Sequence, residues 1–192
     1  DYNVFIGSYT GADNISGDYN VFIGDATGRR NINGDNNSFI GRFAGSSNTE
    51  GSYNTFFGRS TGSSNTTGNY NVAIGHSAGF SNETGINNVF IGKNAGYYEL
   101  DSNKLYIENT DATVPLIYGE FDNDRVGINR IAVTNTLEVG GTASKSSAGN
   151  WIANSDARLK KNITPLSSEK MLQQLLSLQG ITYEWNDDKT GN

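Results

Sequence analysis

Apolar positions in this chain fall in short, evenly spaced blocks. Val4-Phe5-Ile6, Val21-Phe22-Ile23, Ser38-Phe39-Ile40, Thr55-Phe56-Phe57, Val72-Ala73-Ile74 and Val89-Phe90-Ile91 are separated by longer runs of Asn, Gly, Ser, Thr and charged residues. The blocks are β-branched and aromatic, the composition that strands favour. An Asn precedes each of them, at Asn3, Asn20, Asn37, Asn54, Asn71 and Asn88, a spacing of 17 residues kept without insertion over six copies. Gly7 and Gly11 recur in the same register as far as Gly92 and Gly96, a third glycine runs from Gly17 to Gly85, and a second Asn from Asn14 to Asn82.

A fixed period means that each unit buries its apolar face only by stacking on its neighbours. Seventeen residues are too few for a helix pair and suit one coil of a β-solenoid. The glycines that bound the strands are expected at corners of positive φ. The Asn series are expected to form ladders between coils, with a ligand-binding Asn face as the competing reading. Six coils at the usual ~4.8 Å strand spacing give a segment roughly 30 Å long.

Alternation along a strand sends Phe5 and Ile6 to opposite faces, so both cannot serve one core. The coil interior takes one of them. The other is expected to meet a second copy of the chain, which predicts a homo-oligomer, a trimer of parallel solenoids.

The period ends at Tyr97-Tyr98. Residues 99–141 carry further strand candidates at Lys104 to Glu108, Leu116 to Tyr118, Arg125 to Ile128 and Thr136 to Val139, a β connector closed by Gly140-Gly141. Residues 142–154 read as a linker or stem. Beyond them Met171, Leu172, Leu175, Leu176 and Leu178 form one apolar helical face, Gly180 stops it, and Ile181, Tyr183 and Trp185 alternate as a strand. The expected fold is therefore all-β: a trimeric β-solenoid of six repeats over residues 1–98, a short-strand neck, and a small α+β segment over 155–192.

Composition narrows the function classes. Apolar residues make up only 35% of the 192, too few for one conventional core, yet 11% aromatics argue against disorder. Without cysteine there is neither a disulfide framework nor thiol chemistry. A net charge of −6 disfavours a nucleic-acid partner, and no apolar run reaches the length of a membrane span, so neither nucleic acid nor membrane insertion is expected. Asp1 falls mid-pattern, which suggests a fragment with targeting information elsewhere.

Candidate chemistry is sparse. His76 is the sole histidine and stands in a column that varies from coil to coil, Ser8, Asp25, Arg42, Arg59, His76 and Lys93, which is read as outward-facing. This column, with the pairs that run from Ala12-Asp13 to Tyr97-Tyr98, is the candidate binding surface. Asp122-Asn123-Asp124 reads as a turn rather than a calcium loop, and no cofactor is implied. Matches to the glycosylation sequon, such as Asn14-Ile15-Ser16 and Asn65-Thr66-Thr67, are expected by chance in so Asn-rich a chain.

Three stretches carry resemblance. Ser155-Asp156-Ala157-Arg158-Leu159-Lys160, then Asn162-Ile163, the apolar helix and Gly180-Ile181-x-Tyr183-x-Trp185, resembles the start of the C-terminal intramolecular chaperone of endosialidase-type tailspikes and tail fibres. That resemblance implies a trimer, a chaperone guiding assembly of the β-rich shaft before it, and single-turnover self-cleavage at Asn154-Ser155. Ser155 would be the nucleophile and Lys160, neutral once desolvated, the general base. Residues 155–192 would then be the N-terminal part of a longer, truncated chaperone, and the unbroken chain at 154 implies an uncleaved state. Asn71-Val72-Ala73-Ile74-Gly75 is similar to repeats of trimeric autotransporter adhesin heads, and NKLYI and PLIYG-to-VGIN resemble tail-fibre necks.

The expected function is a structural and adhesive fibre segment of a phage tail or contractile injection system, or a bacterial surface adhesin, whose partner is a cell-surface glycan or protein. A self-cleaving serine/lysine protease is the alternative. An ice-binding solenoid is more remote, because the outer columns mix Arg, Asp, His and Lys where a regular Thr array is needed.

Overall fold

The computed structural model describes residues 2–132 and 134–141. These residues form ten strands and no helix. Six three-residue strands, β1 Val4–Ile6, β2 Val21–Ile23, β3 Ser38–Ile40, β4 Thr55–Phe57, β5 Val72–Ile74 and β6 Val89–Ile91, coincide with the six apolar blocks. They pair in parallel and in register, so equivalent residues stack: Phe22 on Phe39, Phe39 on Phe56. The predicted β-solenoid of 17-residue coils is the observed fold.

The middle residue of each strand points inward. Phe22, Phe39, Phe56 and Phe90 are almost fully buried and form the core with Ala44, Ala78 and Ala95. The rings of Phe5, Phe22, Phe39 and Phe56 stack with centroids 4.7–4.9 Å apart and planes within 9° of parallel. Each ring lies against the backbone of a corner glycine. A Cβ at Gly28 (φ +54) would sit 2.6 Å from Phe22 Cδ2, so this corner needs both the left-handed conformation and an empty position.

Both Asn series are ladders, as the sequence suggests. Asn20 Oδ1 accepts from the Asn37 N–H at 2.9 Å, while its Nδ2 donates to the Gly34 carbonyl at 2.8 Å, and the pattern repeats up to Lys104 N–H on Asn88 Oδ1. In the second series Asn31 Nδ2 donates to Asn14 Oδ1, Asn48 to Asn31, and Asn65 to Asn48. A third ladder has Thr10, Thr27 and Thr61 donating to the carbonyls of Gly24, Gly41 and Gly75. The buried amides thus satisfy corner backbone that no strand partner reaches.

The stack is faulted at the fifth coil, where Ala73 replaces Phe. The Phe90 ring leans across into that space and lies against both Gly79 and Gly96, tilting 58° from the next ring, Tyr106. At the same level Asn82 donates to the carbonyls of Glu99 and Asp101, which leaves Asn65 Oδ1 buried and without a partner.

The sheet does not stop with the repeat. β7 (Lys104–Ile107) pairs in parallel with β6, putting Tyr106 above Phe90. β7, β8 (Ile117–Glu120) and β9 (Arg125–Ile128) then form an antiparallel meander, and β10 (Leu137–Val139) adds in parallel to β9. β8 begins after Leu116 and runs on to Glu120, because Glu120 pairs with Lys104 across the hairpin. The Asp122-Asn123-Asp124 segment is the turn between β8 and β9, with Asp124 at φ 51°. The helix and strand expected within 155–192, like the linker at 142–154, lie outside the described residues.

Candidate binding surface

Because the coils stack in register, any outward position becomes a column of side chains along the sheet. The corner glycine at the end of each strand, Gly24 for example, turns the chain outward. The next residue gives the column Ser8, Asp25, Arg42, Arg59, His76 and Lys93. Every member is exposed except Asp25, which is half-buried and paired to Arg42 at 3.2 Å. Such an exposed pair contributes little to stability. Among the described residues no three His, Asp or Glu side chains gather as metal ligands, around His76 or elsewhere. Ser155 and Lys160 lie outside the described residues.

Two features of the surface could not be read from residue type. One is a column of left-handed non-glycine residues two positions after the corner glycine: Tyr9, Ala26, Phe43, Ser60, Ser77 and Asn94 all have φ between 53° and 60°. The other is a second such column at Tyr19, Asn36, Tyr53, Tyr70 and Asn87. Here the tyrosines are exposed and stack where they are adjacent, Tyr2 on Tyr19 at 4.9 Å and Tyr53 on Tyr70 at 5.0 Å. The coil geometry holds these backbones, and a left-handed φ at Tyr or Phe could not be anticipated from a glycine pattern.

The outer strand face is apolar. Ile6 is 57% exposed, Phe57 53%, Ile74 41% and Ile91 38%, with Ile23 and Ile40 half-buried between them. Beside this column run Val4, Val21, Val72 and Val89. At its end Ile91, Ile107 and Leu116 line an apolar hollow of about 300 Å³ with Glu108 at its edge.

Charge is organised in the neck. Glu120 accepts from Tyr118 Oη at 3.0 Å and from Asn123 Nδ2 at 2.9 Å, and it faces Lys104 and Arg125 at 3.4 and 3.5 Å. Burial alone would raise its carboxyl, but these donors outweigh burial and hold it below its ordinary value of 4.5. Backbone and Thr110 donors hold Glu108 low as well. Tyr106 is pushed far up by burial and by its hydrogen bond to Glu99 at 2.7 Å. A carboxylate with a depressed folded value stabilises the fold fully above pH 4.5, and that contribution is lost as pH falls through the folded value. Thermal melts should therefore show the neck losing stability below about pH 4.5, with Glu120→Gln flattening the acid limb relative to the unaltered chain.

Comparison with known proteins finds a family match at one end of the chain: residues 155–192 match the family described as chaperone of endosialidase. Neither the curated proteins nor the solved structures give a match.

Proposed function

We propose that the chain is a shaft segment of a homotrimeric, tail-fibre-type attachment protein, whose assembly chaperone begins at Ser155. The observation that carries this reading is the continuous outer column from Ile6 to Ile91. The Phe column already fills the coil interior, so this second apolar face has no place within its own coil. Exposed apolar surface so regular and so long is the signature of an interface. Three parallel copies bring the columns together around one axis, and the chaperone resemblance favours three chains over two. The variable columns, Ser8 to Lys93 among them, then face outward toward a cell-surface glycan or protein, on a virion tail fibre, an extracellular injection particle or a bacterial surface adhesin.

Placing a charge in the middle of the column tests the reading. Ile40→Asp combined with Ile74→Asp should abolish trimer formation in sedimentation velocity. The isolated coil interior is left intact, because both side chains point away from it. A double variant that sediments as the unaltered chain does would remove the apolar column from the interface.

The matched segment from Ser155 to Lys160 supports a second activity within the same protein, a single self-cleavage at Asn154-Ser155. The lysine amine takes the serine hydroxyl proton, the serine oxygen attacks the Asn154 carbonyl, the Asn154–Ser155 C–N bond breaks as the proton passes from the lysine to the freed Ser155 amine, and water hydrolyses the resulting ester to the Asn154 carboxylate and the serine hydroxyl. Expression of the full-length gene should yield two bands on a denaturing gel, merging into one in Ser155→Ala. Identical patterns for the two would exclude the cleavage.

A further inference from the structure

The chain carries a net charge of −6, yet its second and third coils carry three guanidinium groups, Arg29, Arg30 and Arg42. From the position of their side chains we infer that these coils form a binding groove for an anionic sugar, with carboxylate or sulfate as the recognised group. The inference rests on the attachment reading and gives it a ligand class and a place on the shaft.

The groove is a concavity of about 170 Å³ lined by Ala26, Arg29, Arg30, Phe43, Ser46 and Ser47. Its lining holds two exposed guanidiniums and no carboxylate. Asp25 is taken up by Arg42 at 3.2 Å. Among the described residues neither Arg29 nor Arg30 pairs with a carboxylate, so their donors are open to a ligand. A guanidinium presents a planar fork that matches a carboxylate or sulfate with two parallel hydrogen bonds.

The rest of the lining explains why a sugar fits better than a bare anion. Phe43 stands at the groove with the Arg42 guanidinium over its ring, centroid distance 4.5 Å, and Arg29 lies 5.9 Å from the Tyr9 ring centroid. These cation–π contacts fix the arginines and present flat apolar surface beside charge. Ser46 and Ser47 add hydroxyls in the same wall. A flat ring, hydroxyls and a guanidinium fork complement the C–H face, the hydroxyls and the acid group of one sugar unit.

The groove also continues along the sheet. Arg29 belongs to the column Arg29, Ser46, Ser63, Phe80, Tyr97, in which Phe80 and Tyr97 stack at 4.9 Å. Four coil steps of ~4.8 Å make this a track of about 19 Å, basic at one end and aromatic at the other. A polymer of acidic and neutral sugars fits such a track. Gly24 and Gly28 turn the chain between the Ile column and this one, so a trimer closed through the isoleucines leaves the track open.

The test uses the whole chain and defined probes. Polygalacturonate oligomers, dextran sulfate, neutral dextran and a single-stranded oligonucleotide are titrated by calorimetry at low and physiological salt. Polygalacturonate or dextran sulfate should bind, weakening as salt rises, and neutral dextran should not. The two anionic probes distinguish carboxylate from sulfate. Arg29→Gln with Arg30→Gln should weaken binding at least tenfold at unchanged circular dichroism. Arg29→Lys with Arg30→Lys, which keeps charge and loses the fork, should fall between. Equal binding by the unaltered chain and the glutamine variant, no binding of either anionic sugar, or tighter binding of the oligonucleotide would overturn the inference. Adsorption to cells separates this from the wider reading: cells bound equally by the unaltered chain and the glutamine variant locate attachment elsewhere on the shaft, whereas cells bound by neither remove attachment itself.

Discussion

Phe39→Ala is expected to lower the unfolding free energy by about 3–5 kcal/mol per chain, seen as a shifted midpoint in denaturant at an unchanged slope. Phe39 is fully buried, with Phe22 stacked 4.9 Å away on one side and Phe56 4.7 Å away on the other. Its removal strips the transfer energy of an aromatic side chain and leaves a cavity walled by two rings and the Gly45 backbone. The fifth coil shows what limits the loss. Ala73 already stands in this column, and the Phe90 ring leans into the space it leaves. If Phe22 or Phe56 leans in the same way, the cost falls toward the lower end. A cost under 1 kcal/mol would mean that the stacked rings do not form the core.

Asn37→Ala should cost about 1–3 kcal/mol although only a polar side chain is removed. Asn37 Oδ1 accepts from the Asn54 N–H at 2.9 Å and its Nδ2 donates to the Gly51 carbonyl at 2.8 Å, all inside the stack. Truncation leaves the buried Asn54 N–H without a partner at a cost of about 1–3 kcal/mol, while the Gly51 carbonyl keeps the Asn48 Nδ2 donor at 2.9 Å. Asn33→Ala is the control. Asn33 is exposed and only accepts from Ser16 Oγ at 2.9 Å, so its loss should stay within about 0.5 kcal/mol. Equal effects at Asn37 and Asn33 would reduce the ladder to decoration.

The ladders and the Phe column were legible because one physical demand recurs at one position in every coil. A buried strand centre needs an apolar side chain, and an unpaired corner needs an amide, so the period alone assigns both. What depends on a neighbouring coil could not be read that way. The lean of Phe90 follows from Ala73, one coil away, and the unpartnered Asn65 Oδ1 follows from Asn82 turning toward Glu99. β7 was expected as a strand at Lys104 to Glu108, but not as a continuation of the solenoid sheet. Tyr106 extends the aromatic column, but the register to Phe90 is 16 residues rather than 17, so a strict period stops one strand early. The parallel pairing of β10 with β9 rests on the connection through residues 129–136, where Glu138 accepts from the Thr134 and Asn135 N–H groups and pairs with Arg130 at 2.8 Å.

The candidate surface was legible in part. Outward position follows from variability, and the column Ser8 to Lys93 lies where the coil geometry turns outward. Arg29 and Arg30 belong to the variable pair series from Ala12-Asp13 to Tyr97-Tyr98, but their grouping with Phe43 arises only from stacking. The left-handed tyrosines and Phe43 had no signal at all, since those residue types do not seek positive φ.

The homotrimeric shaft proposed for this chain depends on the apolar outer column being a contact between copies. Light scattering on the purified chain at micromolar concentration measures that directly. The account predicts a single species of three times the 20.7 kDa of one chain. A folded, stable monomer of 20.7 kDa, with the Ile6-to-Ile91 column open to water, would contradict it.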